Sequence, residues 1–216
     1  MEEQAVSSNI WHDENNWTHI DWSLEGVTSK MLDWFWCNME KGDLLWHPNQ
    51  HLGLTWMKGR GVVDLKSPIN SIHIAPQKWG DGKVMELYIR MDALENVPDD
   101  VRDIIKYDHV VITAGDMMGR INEKDPDFPA TTWRVHQWQS SDDGVVGMSS
   151  GMNRGNENDI DSGMIWAKHG SEEVGNWEEF LPRLYELYKV IESEELSPCY
   201  SFKLAGKGRQ AKYTQL

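Results

Sequence analysis

Cysteine is almost missing from this chain, with only Cys37 and Cys199 among 216 residues. That excludes a disulfide framework as the organising principle, and a reduced, cytoplasmic setting is the expectation. The two thiols are able to pair, but nothing in the sequence indicates that they do. Also lacking is any run of about 18 apolar residues, so no membrane span is expected. The opening Met1-Glu2-Glu3-Gln4-Ala5-Val6-Ser7-Ser8 is acidic and has no apolar core, which argues against a secretory signal. Basic residues are scarce too: 21 Lys+Arg stand against 35 Asp+Glu, a formal net charge of −14. No basic face is clustered, so neither nucleic acid nor an anionic membrane is an expected partner.

What the chain has in excess is tryptophan, 12 residues of it. Large flat side chains with few rotors build cores, and they also wall pockets for aromatic ligands. Trp34, Trp36 and Trp46 stand just before two histidines and are candidates for such a wall, as is Trp138. The length suits one domain, and the Trp-rich surface leaves a homodimer open.

Residues 1–26 read as an extended N-terminal arm, 27–196 as the domain proper, and 197–216 as a frayed basic tail. Thr28 to Asn38, with Ser29 or Thr28 as its cap, reads as a short helix that carries Met31, Leu32, Phe35 and Trp36. Pro48 holds His47 out of helical space, so Trp46 to His51 reads as a turn. Strands are expected at Ser71–Gln77, Val84–Met91, His109–Ala114, Thr131–Trp138 and Ser162–Lys168, with a Gly80-Asp81-Gly82 turn between the first two. Period two puts His73 and Gln77 on one face, and Thr132, Arg134, His136 and Trp138 on another. The stretch 144–162, rich in Gly, Asn, Asp, Ser and Met, reads as a mobile loop with a weak strand, able to close over a ligand. A long helix then runs from His169 to about Glu194, with a kink or restart at Pro182. Antiparallel strands followed by one long helix predict an α+β fold, a curved sheet gripping that helix around a cavity.

The most informative conflict lies on that helix. Ile191, Tyr188, Leu184, Leu181 and Trp177 trace one apolar stripe, and the same line continues to Glu173 and His169. A stripe that faces a core therefore carries a carboxylate inward. Burying an ionised carboxylate costs on the order of several kcal/mol unless a cation or hydrogen bonds offset it. His47, His51, His136, His169 and Glu173 supply imidazoles and a carboxylate from separate segments, which is the donor set of a catalytic divalent site, zinc in particular. Such a cation lowers the pKa of a water it holds and so generates a nucleophile near neutral pH.

Four segments carry a resemblance: Met31-Leu32-Asp33-Trp34-Phe35, Leu45-Trp46-His47-Pro48-Asn49-Gln50-His51, His136-Gln137-Trp138 with the polar turn after it, and His169-Gly170-Ser171-Glu172-Glu173 running on to Tyr185. In this order they resemble the 2,4-diacetylphloroglucinol hydrolase family, which includes phloretin hydrolases. The resemblance implies a START-like helix-grip fold that holds one Zn2+ per chain with two histidines and two glutamates. Carried over by motif, His51, His136 and Glu173 are ligands, and His169 lies near the substrate as proton shuttle. His47 and His51 are interchangeable within their short unit, which leaves His47 a catalytic candidate. The strand glutamate of the family falls at Gln77 here, and His73 on the same face is the alternative to it.

The implied activity is hydrolysis of the carbon–carbon bond between an acyl group and a phenolic, phloroglucinol-like ring or a β-diketone. The expected partner is thus a small aromatic or polyketide-like molecule. Two other readings stand beside it. One is a non-catalytic binding protein for a hydrophobic small molecule; the other is a polyketide isomerase or cyclase in the same pocket.

Overall fold

The computed structural model describes residues 9–57, 67–79, 82–116, 118–155, 158–192 and 200–214. Among them, eight strands form one antiparallel sheet: β1 (Asn9–His12), β2 (Thr18–Glu25), β3 (Thr55–Trp56), β4 (Ile72–Lys78), β5 (Val84–Met91), β6 (His109–Gly115), β7 (Thr132–Ser140) and β8 (Gly144–Asn153). Their order across the sheet is β1-β2-β8-β7-β6-β5-β4-β3. Helix α1 (Ser29–Cys37) and the single turn α2 (Asp43–Trp46) follow β2, and α3 (Asp99–Asp103) joins β5 to β6. The 33-residue α4 (Ile160–Glu192) lies in the grip of the curved sheet. The fold is the helix-grip α+β architecture that the sequence predicts.

Alternation along the strands divides the core in two. Ile20, Trp22 and Leu24 of β2, Val111 of β6 and Trp138 of β7 pack toward α4, meeting Val174, Trp177 and Leu181. Val110, Ile112 and Ala114 of β6 face the other way and pack with Val101, Ile105 and Trp133. A period of two on strands covered on both sides produces this division.

Several expectations change. Residues 9–25, read as part of an arm, are strands: β2 pairs with β8 from Thr18↔Gly151 to Glu25↔Gly144. The loop expected at 144–162 is for most of its length β8, an interior strand, so it is no lid. Its glycines misled because they serve close packing: a Cβ on Gly147 would lie 2.3 Å from the Trp22 ring, and one on Gly151 2.4 Å from the Trp166 ring. The strand expected at Ser162–Lys168 is the start of α4. Asp159 caps it, its carboxylate accepting from the Ser162 amide at 2.8 Å and from the Ser162 hydroxyl at 2.7 Å. The helix then continues through Pro182 without a restart.

The tail is not frayed over 200–214. Phe202 is fully buried against Trp138, and β9 (Leu204–Ala205) pairs with β10 (Lys212–Tyr213). Buried Asp33 accepts from His109 Nδ1 at 3.0 Å beside this segment. Cys37 is buried, whereas Cys199, the Gly80-Asp81 part of the expected turn and residues 1–8 of the expected arm lie outside the described residues.

Candidate metal centre and cavity

Three chain segments deliver the site. The first is the turn after α2. Gly42 precedes α2, where any Cβ would sit 2.9 Å from the Phe35 ring, and His47 ends α2 with φ −140, ψ 81, outside helical space as Pro48 requires. His51 follows and bridges to Gln77 of β4 as an isolated antiparallel pair. The third segment is α4, whose inward stripe carries His169 and Glu173 one turn apart. Both are buried, as the stripe predicts, although Ile191 at its far end is 60 % exposed.

His51, His169 and Glu173 bring one ligand atom each within 4.8 Å of one another, so the three can hold a metal ion. His51 Nε2 lies 3.3 Å from Glu173 Oε1, and His169 Nε2 lies 3.2 Å from that same oxygen. The edge of a tetrahedron with metal–ligand bonds of 2.0–2.1 Å is about 3.3 Å. Gln77 Nε2 is 3.2 Å from His51 Nε2, a further separation of that size. Rotating the amide by half a turn presents its oxygen there instead, since the two ends are alike in shape.

The outer contacts fix both imidazoles. His51 Nδ1 is 3.0 Å from Asp43 Oδ1 and 3.1 Å from the Asp43 carbonyl. His169 Nδ1 is 2.8 Å from Gln50 Oε1. Each Nδ1 thus meets acceptors and carries the proton, which turns the Nε2 lone pair toward Glu173. Two lone pairs and a carboxylate oxygen converging in a buried place require a positive charge between them. Without a metal, that charge is a proton. Burial works against it, yet hydrogen bonds to Asp43 and Glu173 lift the His51 pKa to about 10. Burial alone would raise the Glu173 carboxyl; the charge and hydrogen bonds of His169 and His51 hold it well below the usual range.

The other predicted residues sit close by in different roles. His136, expected as the second imidazole ligand, is not in the group of three; His169, expected to shuttle protons, takes that place. His136 reaches the same cavity from β7, with Nδ1 3.0 Å from Ser149 Oγ. His47 also stays out of the group, stacking on His169 with ring centroids 4.5 Å apart and lying 3.3 Å from Glu172. Burial and the charge of His169 lower its pKa to about 4. His73 lines the cavity on the face it shares with Gln77 but does not join the group.

Burial, then the charge of His51, lowers His73 to about 3, and burial lowers His136 to about 4. Both values lie below the unfolded one near 6.5. The unfolded chain therefore takes up protons first as pH falls. Stability from these two rings is complete above about 6.5 and drains away toward their folded pKa values. His73→Leu is expected to move the midpoint of acid unfolding, followed by tryptophan fluorescence, to lower pH. An unmoved midpoint would mean that the ring does not resist protonation in the folded state.

The cavity beside the site has a volume of about 470 Å³. Met39, Leu54, Met85, Leu87 and Ile89 give it apolar walls. Four tryptophans line it, Trp36, Trp46, Trp79 and Trp166. Of the wall residues expected from sequence, Trp46 and Trp36 are present, while Trp34 and Trp138 belong to the solid core. Asp43, Gln50, Trp79 and Trp166 escaped the sequence reading, because only the folded chain brings them to His51, His169 and the cavity.

These features define a helix-grip domain with an apolar internal cavity and a potential cation site at its wall. No family model matches the chain, and the search of curated proteins finds no relative. Solved structures do share the fold. Protein Ms6760 from Mycobacterium smegmatis aligns with a TM-score of 0.53 at 16% identity, covering 82% of this chain and 98% of its own. Protein NE0264 from Nitrosomonas europaea aligns with a TM-score of 0.50 at 11% identity, covering 82% and 99%. Among the described residues no helix is long and apolar enough to cross a membrane.

Proposed function

We propose that this chain is a metal-dependent hydrolase that cleaves the carbon–carbon bond between an acyl group and a phenolic ring or β-diketone. The observation that carries the reading is the convergence of two Nε2 lone pairs and Glu173 Oε1 beside an apolar cavity. His51, His169 and Glu173 would hold the ion, with the Gln77 amide as the fourth donor. Nitrogen and oxygen donors at these separations suit zinc, which would supply Lewis acidity to the reacting carbonyl.

The protein's own groups do the rest. Trp36, Trp46 and Trp79 line the cavity and would bound a slot for a flat ring. His136, neutral and anchored through Nδ1, offers its other ring nitrogen to the cavity as proton acceptor and donor. Hydrolysis needs that traffic, because water gives its hydroxyl to the acyl carbon and a proton must reach the ring carbon that leaves. Asp43 and Gln50 hold the two ligand imidazoles in register.

A panel of acylphloroglucinols and aryl β-diketones, followed by chromatography, tests the activity. Equal amounts of carboxylic acid and deacylated product are expected, lost with a chelator and restored by zinc. A second reading, a carrier of hydrophobic small molecules, is favoured by Gln77, a weaker donor than a carboxylate. Tight binding of the panel with no product and no bound metal would establish the carrier instead.

A further inference from the structure

Away from His51, His169 and Glu173 the cavity has a second polar region, on the wall formed by β6 and β7. Thr132 stands four residues before His136 on β7 and shares its face, roughly 13 Å along the strand at about 3.3 Å per residue. Thr113 of β6 opposes Arg134 and leaves the face that Val111 turns toward α4. Both threonines line the cavity, and each is only 6 % exposed. Among the described residues neither hydroxyl has a hydrogen-bond partner, and each opens on the cavity rather than onto packed atoms. The polar side chains around them are engaged. Arg134 Nη1 donates to the Trp133 carbonyl at 2.9 Å and to Asn153 Oδ1 at 3.0 Å. The Ser162 hydroxyl donates to Asp159 at 2.7 Å, and Asp116 accepts from Arg120 Nε at 3.0 Å and from the Thr131 hydroxyl at 3.1 Å.

Gly115 supplies a second observation. It pairs with Thr132 across β6 and β7 and also lines the cavity. Its φ is not positive, so the backbone does not call for glycine there. A Cβ at that position would sit 3.1 Å from Thr132 Oγ1 and crowd the hydroxyl. The missing side chain keeps it open. Buried polar groups are normally hydrogen-bonded, so a hydroxyl pair left open on a cavity wall is completed by what enters the cavity.

We infer that Thr113 and Thr132 form a second polar subsite, which takes a phenolic or alcoholic hydroxyl at the far end of an elongated ligand. The inference rests on the proposed function only for the ligand's other end, which would face Glu173, and the subsite itself needs no metal. Each threonine hydroxyl has one hydrogen to give and two lone pairs, so the pair is able both to donate to a third hydroxyl and to accept from it. It carries no charge to offset a carboxylate. A molecule of two linked rings spans the distance between the ends.

The test titrates trans-stilbene, trans-4-hydroxystilbene and trans-stilbene-4-carboxylate into chelator-treated protein and follows tryptophan quenching. The wild type is expected to bind the hydroxylated probe about fivefold or more tighter than the bare one. Replacing both threonines, Thr113→Val with Thr132→Val, keeps their shape and is expected to erase that preference, while the bare probe changes under twofold. Thr132→Ser keeps the hydroxyl and is expected to retain the preference, whereas Gly115→Ala is expected to weaken the hydroxylated probe alone. Retained binding of bare stilbene shows that the cavity is still formed. Equal binding of the bare and hydroxylated probes by the wild type, the result if water alone completes the hydroxyls, overturns the inference. So does equal loss of both probes in the double variant. Tightest binding of the carboxylate, unchanged in the double variant, assigns this end to an anion and overturns it too. Failure to find metal or hydrolysis leaves these outcomes untouched.

Discussion

Glu173→Gln is expected to remove the bound cation and the activity together while the fold survives. The substitution keeps the shape and a hydrogen-bonding end, but it takes away the one buried negative charge that faces both Nε2 atoms. Losing an outer-shell partner alone weakens metal binding by roughly 10- to 100-fold, and losing a direct ligand costs more. Metal analysis of the purified variant should therefore fall from about one ion per chain to a trace. Circular dichroism should match the wild type. Unchanged metal content would mean that Glu173 is compensated by hydrogen bonds alone, and the catalytic account would go with it.

Trp177→Ala is expected to produce the largest loss of stability. The ring is buried where the helix meets the α1–α2 region, stacked on Trp46 at 5.4 Å and edge-on to Phe35 at 5.8 Å and Trp36 at 5.9 Å. Truncating such a ring costs about 3–5 kcal/mol, a large share of the roughly 5–15 kcal/mol by which domains are stable. The urea midpoint should drop accordingly with little change in slope. A loss under about 1 kcal/mol would contradict this picture of the core. The neighbouring Asn176 donates to the Trp46 carbonyl at 2.9 Å, so the cavity left by Trp177 also loosens the turn that carries His51.

The α4 stripe was the legible part of the site. Periodicity turned Glu173 and His169 inward, and Pro48 in sequence already kept His47 out of helical space. What periodicity lacks is distance between segments. It could not choose between His47 and His51, nor see that His169 rather than His136 completes the group of three. Those facts depend on how the α2 turn docks against α4. The strands β4, β5 and β7 were readable from alternation, and β6 from its apolar run Val110-Val111-Ile112, which packs on both faces. β8 was not: Gly147 and Gly151 look like loop residues until Trp22 and Trp166 are seen lying across them. The start of α4 failed for a related reason, since a short apolar run such as Met164-Ile165-Trp166 fits strand or helix equally.

Diffraction from zinc-soaked crystals, recorded on both sides of the zinc absorption edge, tests the central claim most directly. One anomalous peak is expected about 2.0–2.2 Å from His51 Nε2, His169 Nε2 and a Glu173 oxygen. Crystals that show no peak between these three side chains, at zinc concentrations that saturate other sites, would contradict it.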